Sequence, residues 1–524
     1  MSKLPGAQFV LALAFLWQTT ASASDLDTIG VTLLWMVTTN VNGTGIHVAQ
    51  AEGNNGPTTT NWQVNSGTFA QLASLFTYYS SGGSATTFPN ALGAESGHAD
   101  AVGTNFYGIP NGVATNVAHV DNYEANYFYN SIIAGFTPPN INDPVVSQSF
   151  IFSGTAVGQQ QAIDSKYDNY AAQYKTLFVS GVGNGGPVNP PATCYNGIGV
   201  AVDNGSSSIG PTLDNGRAKP DITAPGYPAG LTSFSTPYVA GAAAVLMQAG
   251  LRGDGGSDTN SAADIRTVKA LLLNGAIKPA DWTNRAASPL DARYGAGVLN
   301  VFNSYKQLAG RKQTNLVSVG VSTGAAHPPN KATNTIGVLS GWNFTNLTSS
   351  SLSDRVNHYY FNVTNGVSNA TFTATATLVW NRQQNQSSIN HLHLFLYNVA
   401  NSNLVAVCTS AVDNVQQLFV PKLPPGRYDL QVLKKGGSYV SAGETYALAF
   451  EFFSLPLNVV NSGTNVALTW PIYPAGFVIQ STTNLAPPAA WNNLSDLVAT
   501  VTNDQNYVVL NATNRNQFFR LQRP

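Results

Sequence analysis

Residues 229–242 read Ala-Gly-Leu-Thr-Ser-Phe-Ser-Thr-Pro-Tyr-Val-Ala-Gly-Ala. A tight turn feeds a run of small and apolar residues, and Pro237 to Ala249 reads as a helix. Proline is expected in the first helical turn, where its missing N–H costs little. A serine at such a helix start lies at the positive end of the helix dipole, which favours negative charge developing nearby. The same residues would also suit an ordinary buried alanine-rich helix with a Ser/Thr cap. The stretch alone leaves both readings open.

Outward from this segment, short apolar runs alternate with helical ones up to about residue 310. Val48–Ala51, Val145–Ser149, Thr176–Ser180 and Gly197–Val202 have strand length, while Ile163–Tyr174 and Ala262–Asn274 read as helices. That alternation predicts an α/β fold with a mainly parallel sheet flanked by helices. After about residue 330 the helical pattern stops. Tyr359–Val363, Thr371–Trp380, His391–Tyr397, Leu404–Cys408, Tyr428–Leu433 and Tyr446–Phe450 are strand candidates, and a further set runs from Val466 to Leu521. Two all-β (sandwich) modules are expected. The organisation read from these shifts is a leader over 1–23, an α/β domain over 24–310 able to fold alone, a polar linker over 311–341, a β-sandwich over 342–455 and a small β module over 456–524.

The segment around Ser233 resembles the nucleophile block of the subtilases, Gly-Thr-Ser-x-Ala-x-Pro followed by a Val-Ala-Gly helix. Just upstream, Lys219-Pro220-Asp221-Ile222-Thr223-Ala224-Pro225-Gly226 is similar to that family's Lys-Pro-Asp-x-x-Ala-Pro-Gly strand. The resemblance spans roughly residues 40–310 and implies a subtilisin-like sheet and a serine endopeptidase with Ser233 as nucleophile. A serine hydroxyl needs a base to take its proton. Gly97-His98-Ala99-Asp100-Ala101-Val102-Gly103 resembles the family's histidine helix, which implies His98 as that base. Gly43-Thr44-Gly45-Ile46-His47-Val48-Ala49-Gln50-Ala51-Glu52-Gly53 resembles its first strand, with Glu52 where the family has aspartate. Glu52 is thus the implied orienter of the base, on a stem one methylene longer, and Asp100 is a rival. Leu177–Gly186 resembles the strand ending in Ala-Gly-Asn, implying Asn184 as an oxyanion donor; good turn chemistry is the other reading of Gly-Asn-Gly-Gly. Pro144–Phe150 resembles the strand lining the substrate cleft, which would place Ser149 and Phe150 there.

The chain departs from the family pattern in further ways. Leu231 replaces a glycine, and six residues lie between Gly226 and Ser233, against a longer loop in typical members, so a more open cleft is expected. About twenty residues separate Ala23 from the first strand, too few for the usual folding propeptide. These departures keep a second reading in play: a weak or inactive subtilase-fold protein serving binding or cell-surface interaction.

The chain has 524 residues, 9% of them charged, and a net charge of −1, which gives no electrostatic case for nucleic acid or an anionic membrane as partner. Lys3, the apolar run Phe9–Trp17 and Ala21-Ser22-Ala23 read as a secretion signal, and no later segment reads as transmembrane, so an exported protein acting on protein or peptide substrates is expected. The implied chemistry requires no cofactor; no Cys/His spacing suggests zinc, and structural calcium is left open. Cys194 and Cys408 are the only cysteines, and their spacing does not decide whether they pair. Pro424-Pro425-Gly426-Arg427-Tyr428-Asp429-Leu430 resembles a turn and strand of β-sandwich domains that follow bacterial secreted peptidases. The C-terminal modules are expected to bind a cell surface or polymer, or to act as spacers.

Overall fold

The computed structural model describes residues 24–522 apart from 55–59, 331, 366–370, 438–439, 463, 487, 495–496, 498, 503–504 and 512–516. The leader read at 1–23 lies outside the described residues. In chain order the first unit contains β1 (His47–Glu52), β2 (Phe76–Ser80), β3 (Gly83–Ala85), α1 (Gly97–Phe106), β4 (His119–Glu124), β5 (Val145–Gln148), α2 (Val157–Tyr174), β6 (Leu177–Gly181), β7 (Ile198–Val202), β8 (Ile222–Ala224), α3 (Thr232–Arg252), α4 (Ile265–Gly275) and α5 (Val301–Ala309). The strands form one eight-stranded sheet in the order β8-β7-β6-β5-β1-β4-β2-β3, parallel except for the β2–β3 pair. Strands covered on both faces should be apolar throughout rather than alternating. Every residue of β6 and β7 is buried.

Helix α3 is buried from Phe234 to Gly250. A helix that is apolar all round belongs in a core. Its small residues permit close packing: a Cβ on Gly241 would lie 2.6 Å from Val113 Cβ and 3.2 Å from the Phe106 carbonyl oxygen. The helix begins at Thr232, so Pro237 lies inside it rather than in its first turn as the sequence suggested.

The β-sandwich has a five-stranded antiparallel sheet and a four-stranded one. The first contains β9 (Val317–Ser322), β11 (Ser353–Val363), β13 (Leu392–Asn398), β14 (Leu404–Cys408) and β16 (Gly426–Lys434); the second contains β10 (Ser340–Thr348), β12 (Phe372–Trp380), β15 (Val415–Leu423) and β17 (Gly443–Phe453). Their orders are β9-β11-β16-β13-β14 and β10-β17-β12-β15. The stretch read as a linker therefore carries an edge strand, β9, in full register with β11. Its half-buried valines 317, 319 and 321 alternate with small exposed residues, and those Ser and Gly residues hid the period of two. Beyond the sandwich, a small module has one four-stranded and one three-stranded antiparallel sheet between Asn458 and Gln522.

The sandwich does not stand apart from the first unit. Trp342, Val379, Val415, Ala447 and Ala449 belong to the same apolar core as α3 and α4. Asn274 Oδ1 at the end of α4 accepts hydrogen bonds from Thr375 Oγ1 at 2.9 Å and Thr377 Oγ1 at 3.0 Å. The buried Arg382 guanidinium meets the Asp168 carboxylate of α2 at 2.8 Å. The α/β unit and the sandwich thus share one apolar core, in which α4 uses the sandwich as one of its walls. Cys194 and Cys408 are both buried and unpaired.

Candidate active site

The carboxyl ends of parallel strands are where open α/β sheets place their ligands. Glu52 is the last residue of β1, Ser149 follows β5, and Asn184 follows β6 by three residues. Helices α1 and α3 start on this edge with His98 and Ser233 as their second residues. Ser96 caps α1, its hydroxyl accepting from the Ala99 N–H at 3.3 Å. The start of α3 is held against α1: Asn105 Nδ2, near the end of α1, donates to the Phe234 carbonyl at 3.1 Å, and the Phe234 ring lies 5.6 Å from that of His98.

His98 Nδ1 lies 2.9 Å from Glu52 Oε2. The Glu52 side chain is 1% exposed and that of His98 33% exposed. Burial opposes the charged ring, but the Glu52 charge and hydrogen bond outweigh it and hold His98 above the ordinary histidine value. Asp100 faces elsewhere, accepting from the Asn65 N–H at 2.7 Å and binding Thr68 Oγ1 at 3.5 Å. Burial, with Glu95 nearby, raises its carboxyl, although the Asn65 and Thr68 hydrogen bonds oppose the rise. Of the two carboxylates weighed from sequence, Glu52 is the one that reaches the ring.

Ser233 is half-buried, and among the described residues its hydroxyl has no hydrogen-bond partner. Its carbonyl is another matter. In a helix that oxygen would accept from the N–H four residues on, but residue 237 is proline and has none. The hydroxyl of Ser149 takes the vacancy at 2.7 Å. Ser149, expected only in the cleft wall, therefore fastens the backbone of the candidate nucleophile. Phe150 is half-buried, its ring set edge-on to Phe152 at 5.7 Å.

Asn184 is exposed on a turn flanked by Gly183 at φ 106° and Gly185 at φ 115°, conformations that favour glycine. Its Oδ1 accepts from the Thr232 N–H at 2.9 Å and the Thr232 hydroxyl at 3.0 Å. The amide nitrogen has no hydrogen-bond partner of its own among the described residues. Strand β6 approaches α3 closely here, since a Cβ on Gly181 would sit 3.1 Å from Thr232 Oγ1. Sequence reasoning missed Gln50, Tyr107, Thr232 and the Pro237–Ser149 relationship. Gln50 left a trace: it shares a strand face with Glu52, in a strand otherwise buried and largely apolar.

Residues 98–297 match the model of the subtilase family. This segment is a subtilase domain. The subtilase match begins at His98 and so does not include the Glu52 strand. Among solved structures, the chain aligns with one described as the structural basis of subtilase cytotoxin SubAB assembly, at 17% identity and a TM-score of 0.39, over 54% of this chain and 95% of that one. It also aligns with crystalline tripeptidyl peptidase 2, at 11% identity and a TM-score of 0.29, over 82% of this chain and 53% of that one. No curated protein matches the chain. Among the described residues, no helix is long and apolar enough to cross a membrane, and no three His, Cys, Asp or Glu side chains are grouped to hold a metal.

Proposed function

We propose that this protein is an exported serine endopeptidase. Ser233 Oγ attacks the scissile carbonyl carbon while His98 Nε2 takes its proton, and Glu52 holds the Nδ1–H and stabilises the imidazolium. The Asn184 amide and the Ser233 N–H at the start of α3 donate to the oxyanion. Collapse expels the amine, which receives the proton from His98, and leaves an acyl-enzyme. Water then repeats the cycle and frees Ser233. The observation that carries this reading is the 2.9 Å contact between a buried Glu52 and a partly open His98, with the Phe234 ring of the Ser233 helix 5.6 Å from the His98 ring. Export rests on the leader read at residues 1–23, and peptide substrates follow from the subtilase domain. The C-terminal modules are assigned to cell-surface or polymer binding, and any calcium to a structural role outside the chemistry.

Ser233→Ala should abolish peptide hydrolysis and fluorophosphonate labelling while leaving circular dichroism unchanged. Labelling that persists in the variant would remove Ser233 from the mechanism. One observation favours a second reading, a non-hydrolytic binding protein on the same fold: among the described residues Ser233 Oγ makes no hydrogen bond to His98. Catalytic hydrogen bonds are often long before substrate arrives. A wild-type protein that resists labelling would decide for the second reading.

A further inference from the structure

Glutamate in place of the family's aspartate carries an extra rotatable bond, and an orienting group misplaced by ~1 Å can lower a rate ~100-fold. Something must hold the longer stem still. Behind Glu52 lies a chain of hydrogen bonds among residues that are all fully buried. Gln50 Nε2 donates to Glu52 Oε1 at 2.9 Å and to the Ala99 carbonyl at 2.9 Å. Tyr107 OH donates to Gln50 Oε1 at 2.5 Å.

The amide orientation is fixed by chemistry. The Ala99 carbonyl can only accept, so the Gln50 nitrogen must face it. Both amide hydrogens are then used, one on the orienting carboxylate and one on the backbone of the residue after His98. The Gln50 oxygen is left for Tyr107. Burial, with the Glu52 charge adding to it, holds the Tyr107 phenol far above its ordinary value, so it remains a donor. Gln50 therefore ties β1, which carries Glu52, to α1, which carries His98.

We propose that Gln50, backed by Tyr107, is the positioning residue that lets a glutamate orient His98 in this subtilase domain. The inference rests on the reading of His98 as general base. With both oxygens of Glu52 engaged, one by His98 and one by Gln50, the carboxylate has no freedom to swing away from the ring. A buried polar chain of this kind holds its geometry only while every member is satisfied.

The test is the titration of the His98 ring, followed by NMR in full-length protein labelled with ¹⁵N-histidine and assigned with His98→Gln. Glu52 is the ionisable side chain that acts on this ring. In the wild type it should titrate above the ordinary ~6.5. In Gln50→Met, Glu52 loses its anchor, burial alone then acts on His98, and the titration should fall below the wild-type value. Tyr107→Phe should move it the same way by less. A purely structural role would lower the melting temperature of both variants and leave the ring's titration in place. Unchanged His98 titration in a folded Gln50→Met overturns the proposal. If that variant does not fold, an unchanged titration in Tyr107→Phe overturns it. Fluorophosphonate labelling, run in parallel, should slow ~100-fold in Gln50→Met. A wild type that is never labelled would sink the peptidase reading, while the titration still decides the role of Gln50.

Discussion

Asn184 and Thr232 are joined twice, the amide oxygen accepting from both the backbone N–H and the hydroxyl of the threonine. This leaves Asn184 Nδ2 as the donor of that amide without a partner among the described residues. Asn184→Asp keeps the shape and can still accept both bonds, but presents an acceptor where the amide donated. It should lower kcat by ~10²–10³ with KM little changed, the size of effect known for loss of an oxyanion donor. Equal kinetics in Asn184→Asp and wild type would exclude the amide from the reaction.

The two carboxylates near His98 separate cleanly by their partners. Glu52→Gln should lower kcat by ~10⁴, as a neutral amide does in the triad template. Asp100→Asn should leave kcat near native, because Asp100 binds the backbone at Asn65 rather than the ring. His98 must be neutral to accept a proton, and Glu52 raises its pKa. Activity should therefore be complete on the alkaline side and fall as pH drops through a value above ~6.5. In any residual activity of Glu52→Gln, that acid limb should move to lower pH. A limb that stays put would show that Glu52 does not act on His98.

Ser149 and Pro237 form a pair that a double-mutant cycle can read. Ser149→Ala leaves the Ser233 carbonyl without a donor and should destabilise by ~1–3 kcal/mol. Pro237→Ala restores the N–H at the position four residues on. The double variant should lose less stability than Ser149→Ala alone relative to the matching Pro237 background. Strict additivity in thermal melts would mean that the Ser149 hydroxyl is not filling the vacancy left by proline.

Asp143 offers a stability test away from the site. Burial first, and the neighbouring Asp121 carboxyl second, push it up to about 9. The folded protein thus keeps it protonated where the unfolded chain, near ~3.9, does not. The sign follows from linkage: its full stability is present below about pH 4 and is lost progressively as pH rises towards 9. Asp143→Asn removes that loss, so its melting temperature should exceed the wild type at pH 8 and match it near pH 4. A lower melting temperature at pH 8 would show that the fold holds Asp143 ionised.

A chain cut at Gly310 should be poorly soluble and bind hydrophobic dyes. Every residue of α4 except Arg266 is buried, and part of that burial is supplied by β12 and β17 of the sandwich. A soluble, cooperatively melting 24–310 fragment would show that the first unit is independent after all.

The α/β unit was legible because parallel strands and a buried helix write themselves as apolar runs. Ile198–Val202 and the Ala-rich stretch after Ser233 could hardly be anything else. Glu52 and His98, which meet at 2.9 Å, were legible through the family resemblance, Glu52 standing where the family has aspartate. What could not be read was partnership across distance. Nothing local ties Thr375 to Asn274, or Ser149 to a carbonyl vacated by Pro237, since those hydrogen bonds depend on how the elements dock. Strand β9 escaped because its apolar face is three valines among serines and a glycine, too thin a pattern to separate from a linker.

The wall that the sandwich lends to α4 has a consequence for a chain that has been nicked. A single cut in the connection between α5 and β9 would leave the two bodies clasped through Asn274, Arg382 and the common apolar core. Nicked chains would travel as whole molecules on a sizing column and come apart only in denaturant. They would also melt in one calorimetric step, so an inhibitor seated in the cleft would steady the far sandwich as much as the domain it touches.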